Sequence, residues 1–299
     1  MIALGETMLA LAPPPGASLR DATALLVDHA GAESNTCVGL ARLGLRVAWI
    51  SRLGADAAGD RIVSALINER IDTRWVRRDP QRPTGLMIKE PDVGVRYYRT
   101  GSAASVLGPE DLTGVSLHEA RAVLVSGVTA LIGPQPHAAG LALLSAAGHP
   151  SPLRIVDPNL RHGLWGSDRR RELVMRFVER SDLLLTGAQE LAELVGESND
   201  VRTLAEHAAA RGPREIVVRA SDRVGALSDQ GSWVEIDVRR HAALDPVGAG
   251  DAFNAGYIAV RLNGGAVEDA LQRGVHCGAA VTTAVSDTSA FPRQLDQSK

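Results

Sequence analysis

Short apolar runs separated by polar turns recur along this 299-residue chain. Ala122–Ser126, Leu153–Val156, Leu183–Thr186 and Ile216–Arg219 are apolar almost without a break. Stretches of helical length lie between the first three and before the fourth. A strand apolar at consecutive positions is one buried on both faces. The alternation therefore predicts an α/β fold, with a mostly parallel central sheet covered by helices on both sides. Earlier in the chain the same reading gives a strand over Met1–Gly5, a helix over Thr36–Leu43 stopped by Gly44, a strand over Val47–Ser51 and a helix over about 60–69. Four short segments break the alternation: Met8–Ala12, stopped by Pro13-Pro14-Pro15-Gly16, then Leu25–His29, and Thr84–Lys89 with Val95–Thr100 around a turn at 91–94. They predict a small extra sheet, a lid formed by insertions at about 8–30 and 84–100 in a single domain spanning 1–299. The chain closes with a helix from the glycine-rich turn at 248–250 to Gly264-Gly265, and a last helix over about 266–285. In open sheets of this kind ligands bind beyond the carboxyl ends of the strands. The positions to inspect are Ser126-Gly127, Asp157 to Arg161, Thr186-Gly187 with Glu190, and Arg219 to Asp222.

Composition narrows the chemistry. Hydrophobic residues make up 45% of the chain and aromatics 3%, so the core is aliphatic. A net charge of −3 gives no general argument for nucleic acid or an anionic membrane. Cys37 and Cys277 are too few and too distant to build a disulfide scaffold. There is no apolar run of about 18 residues and no charged-then-apolar start, so a cytoplasmic location is expected. Lys89 and Lys299 are the only lysines and neither follows a glycine loop, which excludes a Walker-type phosphate site. Protein-kinase signatures, H-E-x-x-H and G-x-S-x-G are absent, and the eight histidines show no metal-ligand spacing.

The richest stretch is Asp245-Pro-Val-Gly-Ala-Gly-Asp251, followed by the small residues Ala252-Phe253-Asn254-Ala255-Gly256. Gly248-Ala249-Gly250 carries almost no side chain, and a helix follows it. A helix start offers unpaired N–H groups and a positive dipole end, a seat for an anion. A plain glycine turn with a surface Asp behind it is one reading. An anion hole for a transferring phosphoryl group, with Asp251 as the proton acceptor, is the other. Phe253 stands where a dinucleotide-binding G-x-G-x-x-G needs its third glycine, so that motif is excluded.

This segment resembles the second signature of the ribokinase-like (phosphofructokinase B type) sugar kinases. Asn35, Gly44, Gly54-x-Asp56-x-x-Gly59 and Asp157-Pro-Asn-Leu-Arg161 follow the family's other motifs in order along most of the chain. The resemblance implies a ribokinase-like three-layer fold with ATP as co-substrate and Mg²⁺ as cofactor; a monovalent cation is left open. Asp251 would be the catalytic base, and the backbone of Gly248, Ala249 and Gly250 would hold the developing charge. Arg96-Tyr97-Tyr98-Arg99, Gly5-Glu6, Gly31-Ala-Glu-x-Asn35 and Pro83-Thr-Gly-Leu86 are similar to the 2-keto-3-deoxygluconate kinases in particular. Neutral-sugar kinases usually carry Asp at the place of Ala10. Substrate contacts are thus expected from Gly31, Asn35, Tyr97, Arg99, Arg161 and Asp251, with the two arginines suited to a carboxylate. Tyr97 and Arg99 would share a face of their strand, although a solvated charged edge is an alternative reading for Arg96–Arg99. Met87 stands where that subgroup often has an aromatic. For the nucleotide, the resemblance points to Arg219, Ser221, Gly225, Gly248, Gly250 and Val275, and to Glu190 as a holder of Mg²⁺ through water. Gly187, Ser221 and Val275 depart from the family pattern. A kinase for a neutral sugar or nucleoside, or a non-catalytic sugar-acid-binding homologue, remain alternatives, and pairing through the lid into a homo-oligomer is open.

Overall fold

The computed structural model describes residues 1–90, 94–146, 152–160, 168–198, 200–238, 247–282 and 288–293. Its first half runs β1 (Ile2–Leu4), β2 (Met8–Ala12), β3 (Leu26–Ala30), α1 (Ala32–Arg42), β4 (Ala48–Gly54), α2 (Ala57–Asn68), β5 (Val76–Asp79), β6 (Leu86–Glu90) and β7 (Gly94–Tyr98). Then follow β8 (Ala122–Ser126), α3 (Gly127–Ile132), α4 (Pro134–Ser145), β9 (Leu153–Asp157), α5 (Asp168–Val178), β10 (Leu183–Gly187), α6 (Ala188–Val195) and α7 (Val201–Ala209). The chain continues through β11 (Glu215–Arg219), β12 (Arg223–Leu227), β13 (Trp233–Asp237), α8 (Ala249–Leu262) and α9 (Val267–Val281).

The large sheet has the order β13-β12-β11-β10-β9-β8-β1-β4-β5. It is parallel from β11 to β5, and only the β11–β12 and β12–β13 pairs are antiparallel. Successive side chains of its strands enter opposite cores, as a two-residue period requires. Leu183, Leu185 and Val217 pack with α1, α2, α8 and α9 residues such as Leu40, Leu66, Tyr257 and Leu271. Leu184, Ile216 and Val218 pack on the other face against α4–α7, through Leu143, Phe177, Leu191 and Leu204. That double burial is why these strands read as unbroken apolar runs. Among the described residues no helix is long and apolar enough to cross a membrane.

A second sheet has the order β3-β2-β6-β7. It draws on the four segments that interrupt the alternation, with β2 parallel to β6 and the other two pairs antiparallel. One face carries a small apolar patch of Met8, Ala10, Ala30 and Met87, with Val95 and Tyr97 against it. Ala10 is thus a packing residue of this patch. Asp56 ties the sheet to the main body. Its carboxylate caps α2 through Gly59 N–H (2.8 Å) and accepts from both the N–H (2.8 Å) and the hydroxyl (2.7 Å) of Thr84, just ahead of β6.

Three differences from the sequence reading have physical causes. Helix α1 begins at Ala32, four residues before the expected Thr36, because Glu33, Ser34 and Asn35 are buried on its first turn instead of forming a polar loop. Strand β5 (Val-Arg-Arg-Asp) pairs only with β4 and is mostly polar, so it has no apolar signature. Strands β12 and β13 extend the sheet as a hairpin whose β13 alternates in exposure, a weaker signal than the central runs.

Candidate active site

Helix α8 positions the centre of the site. Gly248 has φ 84°, a left-handed conformation that a side chain disfavours, and it serves as the N-cap. The first-turn amides that follow have no intrahelical acceptor and sit at the positive end of the helix. Asp251 lies in this turn and is only 4% exposed, which removes the reading of it as a surface carboxylate. Asn35 Nδ2 donates to its Oδ2 at 2.8 Å, and the Thr36 hydroxyl reaches its carbonyl at 3.4 Å. The small residues nearby are explained by close packing. A Cβ on Gly256 would lie 2.7 Å from the Arg273 carbonyl, and one on Gly274 would meet the Phe253 ring at 2.7 Å. Helix α8 is thereby held tightly between α1 and α9, and Asp251 with it.

Asp251 opens into a cleft between the main body and the small sheet. The main body contributes Gly31, Asn35, Val128, Asn159, Val247 and Asp251; the small sheet and its entry contribute Glu6, Met8, Met87, Tyr97 and Arg99. A Cβ on Gly31 would collide with the Glu6 carbonyl, so the backbone itself forms the wall there. Strand β7 alternates as expected: Tyr97 and Arg99 face the cleft, while Tyr98 is exposed and Arg96 pairs at the surface with Glu90 (2.7 Å). The solvated-edge reading therefore describes Arg96 and Tyr98 only. The Arg99 guanidinium lies 4.7 Å from the Tyr97 ring centroid and touches the Met8 sulfur at 3.4 Å. Its Nε and Nη1 are buried and make no hydrogen bond, Nε facing Glu6 Oε2 at 3.3 Å. Arg161 and Asp245 lie outside the described residues.

At the neighbouring strand ends two carboxylates meet. Asp157 accepts from Asn159 N–H (2.9 Å) and Asn254 Nδ2 (2.6 Å). Glu190, in the first turn of α6, accepts from Gly187 N–H (2.9 Å) and Leu160 N–H (2.8 Å). Burial, and then the charge of Asp157, push Glu190 above the usual carboxylate range; Arg219 and the two amides oppose this. A cation placed beside these carboxylates would relieve that strain. No cluster of three metal-ligating side chains exists among the described residues. One or two carboxylates with waters and phosphate oxygens completing the shell suit Mg²⁺, so the residues present fit that ion.

The residues expected around the nucleotide are only partly brought together. The Arg219 side chain turns into the protein, donating to Asn254 Oδ1 (2.6 Å) and the Gly250 carbonyl (3.2 Å), with Asp157 at 3.7 Å. It braces the glycine turn from behind. Ser221 is exposed in the turn between β11 and β12. Gly225, also expected there, is buried within β12, where the Trp233 ring fills the space of a side chain, so its glycine is a packing requirement. The Val275 side chain packs against the aliphatic core on α9, and His276 is exposed.

Three residues escaped the sequence reading as members of the site. Asn254 bridges Arg219 and Asp157; its place three residues after Asp251, on the same side of a helix, was the available signal. Glu33 is fully buried and accepts from Ser126 N–H (2.8 Å), Ser126 Oγ (2.6 Å) and Thr129 Oγ1 (2.7 Å). It fastens the start of α1, and so Asn35, to the end of β8, and burial raises its carboxyl despite those donors. Glu6 faces Arg99 across 3.3 Å.

These features define a phosphotransferase of the sugar-kinase class. The chain belongs to the pfkB family of carbohydrate kinases, whose family pattern matches residues 1–294. It is 31% identical over 307 residues to a 2-dehydro-3-deoxygluconokinase of Thermoproteus tenax, covering 98% of this chain and 91% of that one. It is 29% identical over 293 residues to a 2-dehydro-3-deoxygalactonokinase of Haloferax volcanii, covering 96% and 92%. The crystal structure of a PfkB protein from Polaromonas sp. JS666 superposes with a TM-score of 0.86 at 32% identity, covering 98% of this chain and 97% of that one. The fold is ribokinase-like.

Proposed function

We propose that this kinase phosphorylates the primary hydroxyl of a sugar acid from ATP, with 2-keto-3-deoxygluconate (2-dehydro-3-deoxygluconate) as the preferred acceptor. The observation that carries the reading is one cleft holding an oriented buried carboxylate at a helix start, Asp251, and an under-bonded arginine, Arg99, whose Nη1 has no hydrogen-bond partner. In the mechanism, Arg99 binds the substrate carboxylate and Tyr97 supports its guanidinium. Asn35 holds Asp251 so that its carboxylate takes the proton from the attacking hydroxyl. The amides following Gly248 stabilise the charge on the transferring group, a preorganised arrangement that costs no reorganisation during the reaction. Asp157 and Glu190 would hold Mg²⁺ through water, where the ion would neutralise phosphate charge. The small sheet acts as a lid over the acceptor.

The test is Asp251→Asn. Turnover should fall about a thousandfold, within the usual general-base contribution of roughly a hundred- to ten-thousandfold, while nucleotide binding persists. Retained turnover would overturn the assignment of the base. A neutral acceptor is the second reading, favoured by Glu6, whose charge offsets that of Arg99. Arg99→Ala distinguishes the two: KM should rise on acidic substrates if Arg99 binds their carboxylate, and stay unchanged on the true acceptor if that acceptor is neutral.

A further inference from the structure

The pairing of Glu6 with Arg99 is built differently from an ordinary buried salt bridge. The Glu6 side chain is 1% exposed and that of Arg99 10%. Their closest approach, Arg99 Nε to Glu6 Oε2, is 3.3 Å, and neither atom makes a hydrogen bond. Oε1 has one donor, the Ser102 hydroxyl at 3.2 Å. A buried carboxylate normally collects several donors, because an under-bonded charge away from water is costly. Gly85 packs against it so closely that a Cβ there would lie 2.8 Å from Oε1, and no other cation lines the cleft among the described residues. The other ionisable groups nearby are carboxyls: Asp251 in the same cleft, and Glu33, which abuts Gly5.

We infer that an acid substrate binds together with one proton, taken up by Glu6. The inference rests on the sugar-acid reading above. When a substrate carboxylate binds the Arg99 guanidinium, starting from the unbonded Nη1, two carboxylates share one guanidinium, and Glu6 becomes a buried charge without its own counter-ion. A proton moves from solvent to Glu6 Oε2; the group becomes neutral and its new O–H is a donor toward the bound anion. No bond of the substrate changes. Burial already raises the Glu6 carboxyl in the free protein, against the opposing influence of Arg99 and Ser102, so losing the arginine to the substrate moves it further in the same direction.

The experiment is calorimetric titration of the intact protein with 2-keto-3-deoxygluconate in buffers of different ionisation enthalpy, from pH 5.5 to 9. The expected result is net uptake approaching one proton per substrate over part of that range. There, affinity should weaken by up to about tenfold per pH unit as pH rises. Glu6→Gln, which mimics the protonated group, should bind with no proton uptake and an affinity flat in pH. Binding by the wild type without proton uptake at any pH overturns the inference and leaves the substrate reading standing. No binding of the acid, in a protein that still binds nucleotide, overturns both.

Discussion

Asp251 acts through what surrounds it, and the most direct contact is the 2.8 Å bond from Asn35. Asn35→Ala leaves the carboxylate in place but frees its rotation. Its kcat should fall by roughly 10- to 100-fold, the scale of a small misplacement of a reacting group, with the nucleotide KM little changed; steady-state kinetics decide this. A fall in nucleotide affinity alone would contradict the role. Arg219, Asn254 and Asp157 support the same turn from the other side. At this scale the sequence was legible where the chemistry is local. The motif from Gly248 to Asp251 declares itself within four residues, and the alternation of β7 placed Tyr97 and Arg99 on one face. Glu6 and Glu33 were not recognisable as site members, because their partners lie 93 to 96 residues away and only the fold joins them. Arg219 was expected at the nucleotide, and nothing local shows that the Gly250 carbonyl and Asn254 take its donors.

The element that unites the site is α8, held at both ends. At its start, Gly248 is left-handed; Gly248→Ala should cost about 1–2 kcal/mol in backbone strain and tilt the first-turn amides, lowering both Tm and kcat. At its far end, Tyr257 donates to Glu215 at 2.7 Å, and Arg261 forms a two-pronged pair with the same carboxylate. Tyr257→Phe leaves a charged acceptor with one donor fewer and should destabilise by about 1.5–3 kcal/mol in denaturant unfolding. KM should be unchanged in the folded protein, since the far end does not touch the cleft. The central strands β8 to β11 were readable because burial on both faces makes them apolar almost without a break, Arg154 in β9 being the one charged residue inside them. The early start of α1 was not, since its first turn is polar and buried, the reverse of what amphipathic patterning anticipates.

Across the whole molecule, distant segments are fastened by charge at one point especially. Arg42, at the end of α1, forms two bonds to Glu69 after α2 (2.9 and 2.6 Å) and reaches the carbonyls of Thr288 and Phe291. The Arg42 bonds hold the Glu69 carboxyl below its usual range. A depressed carboxyl adds stability above the unfolded-state pKa, about 4.3, and that stability is lost as pH falls through the folded-state value. Glu69→Gln should therefore lower Tm at pH 7, and the difference from wild type should shrink to nothing in acid. A difference that persists there would assign the effect to packing. The two-sheet layout matches the proposed division of labour, in which the main body transfers the phosphoryl group and the small sheet would select the acid. The most direct test is ADP release from ATP and magnesium with 2-keto-3-deoxygluconate, 2-keto-3-deoxygalactonate, fructose, ribose and adenosine in parallel. Turnover confined to the two keto-deoxy acids is the predicted result. Turnover confined to a neutral sugar or nucleoside would contradict it, leaving the kinase but removing the carboxylate from Arg99.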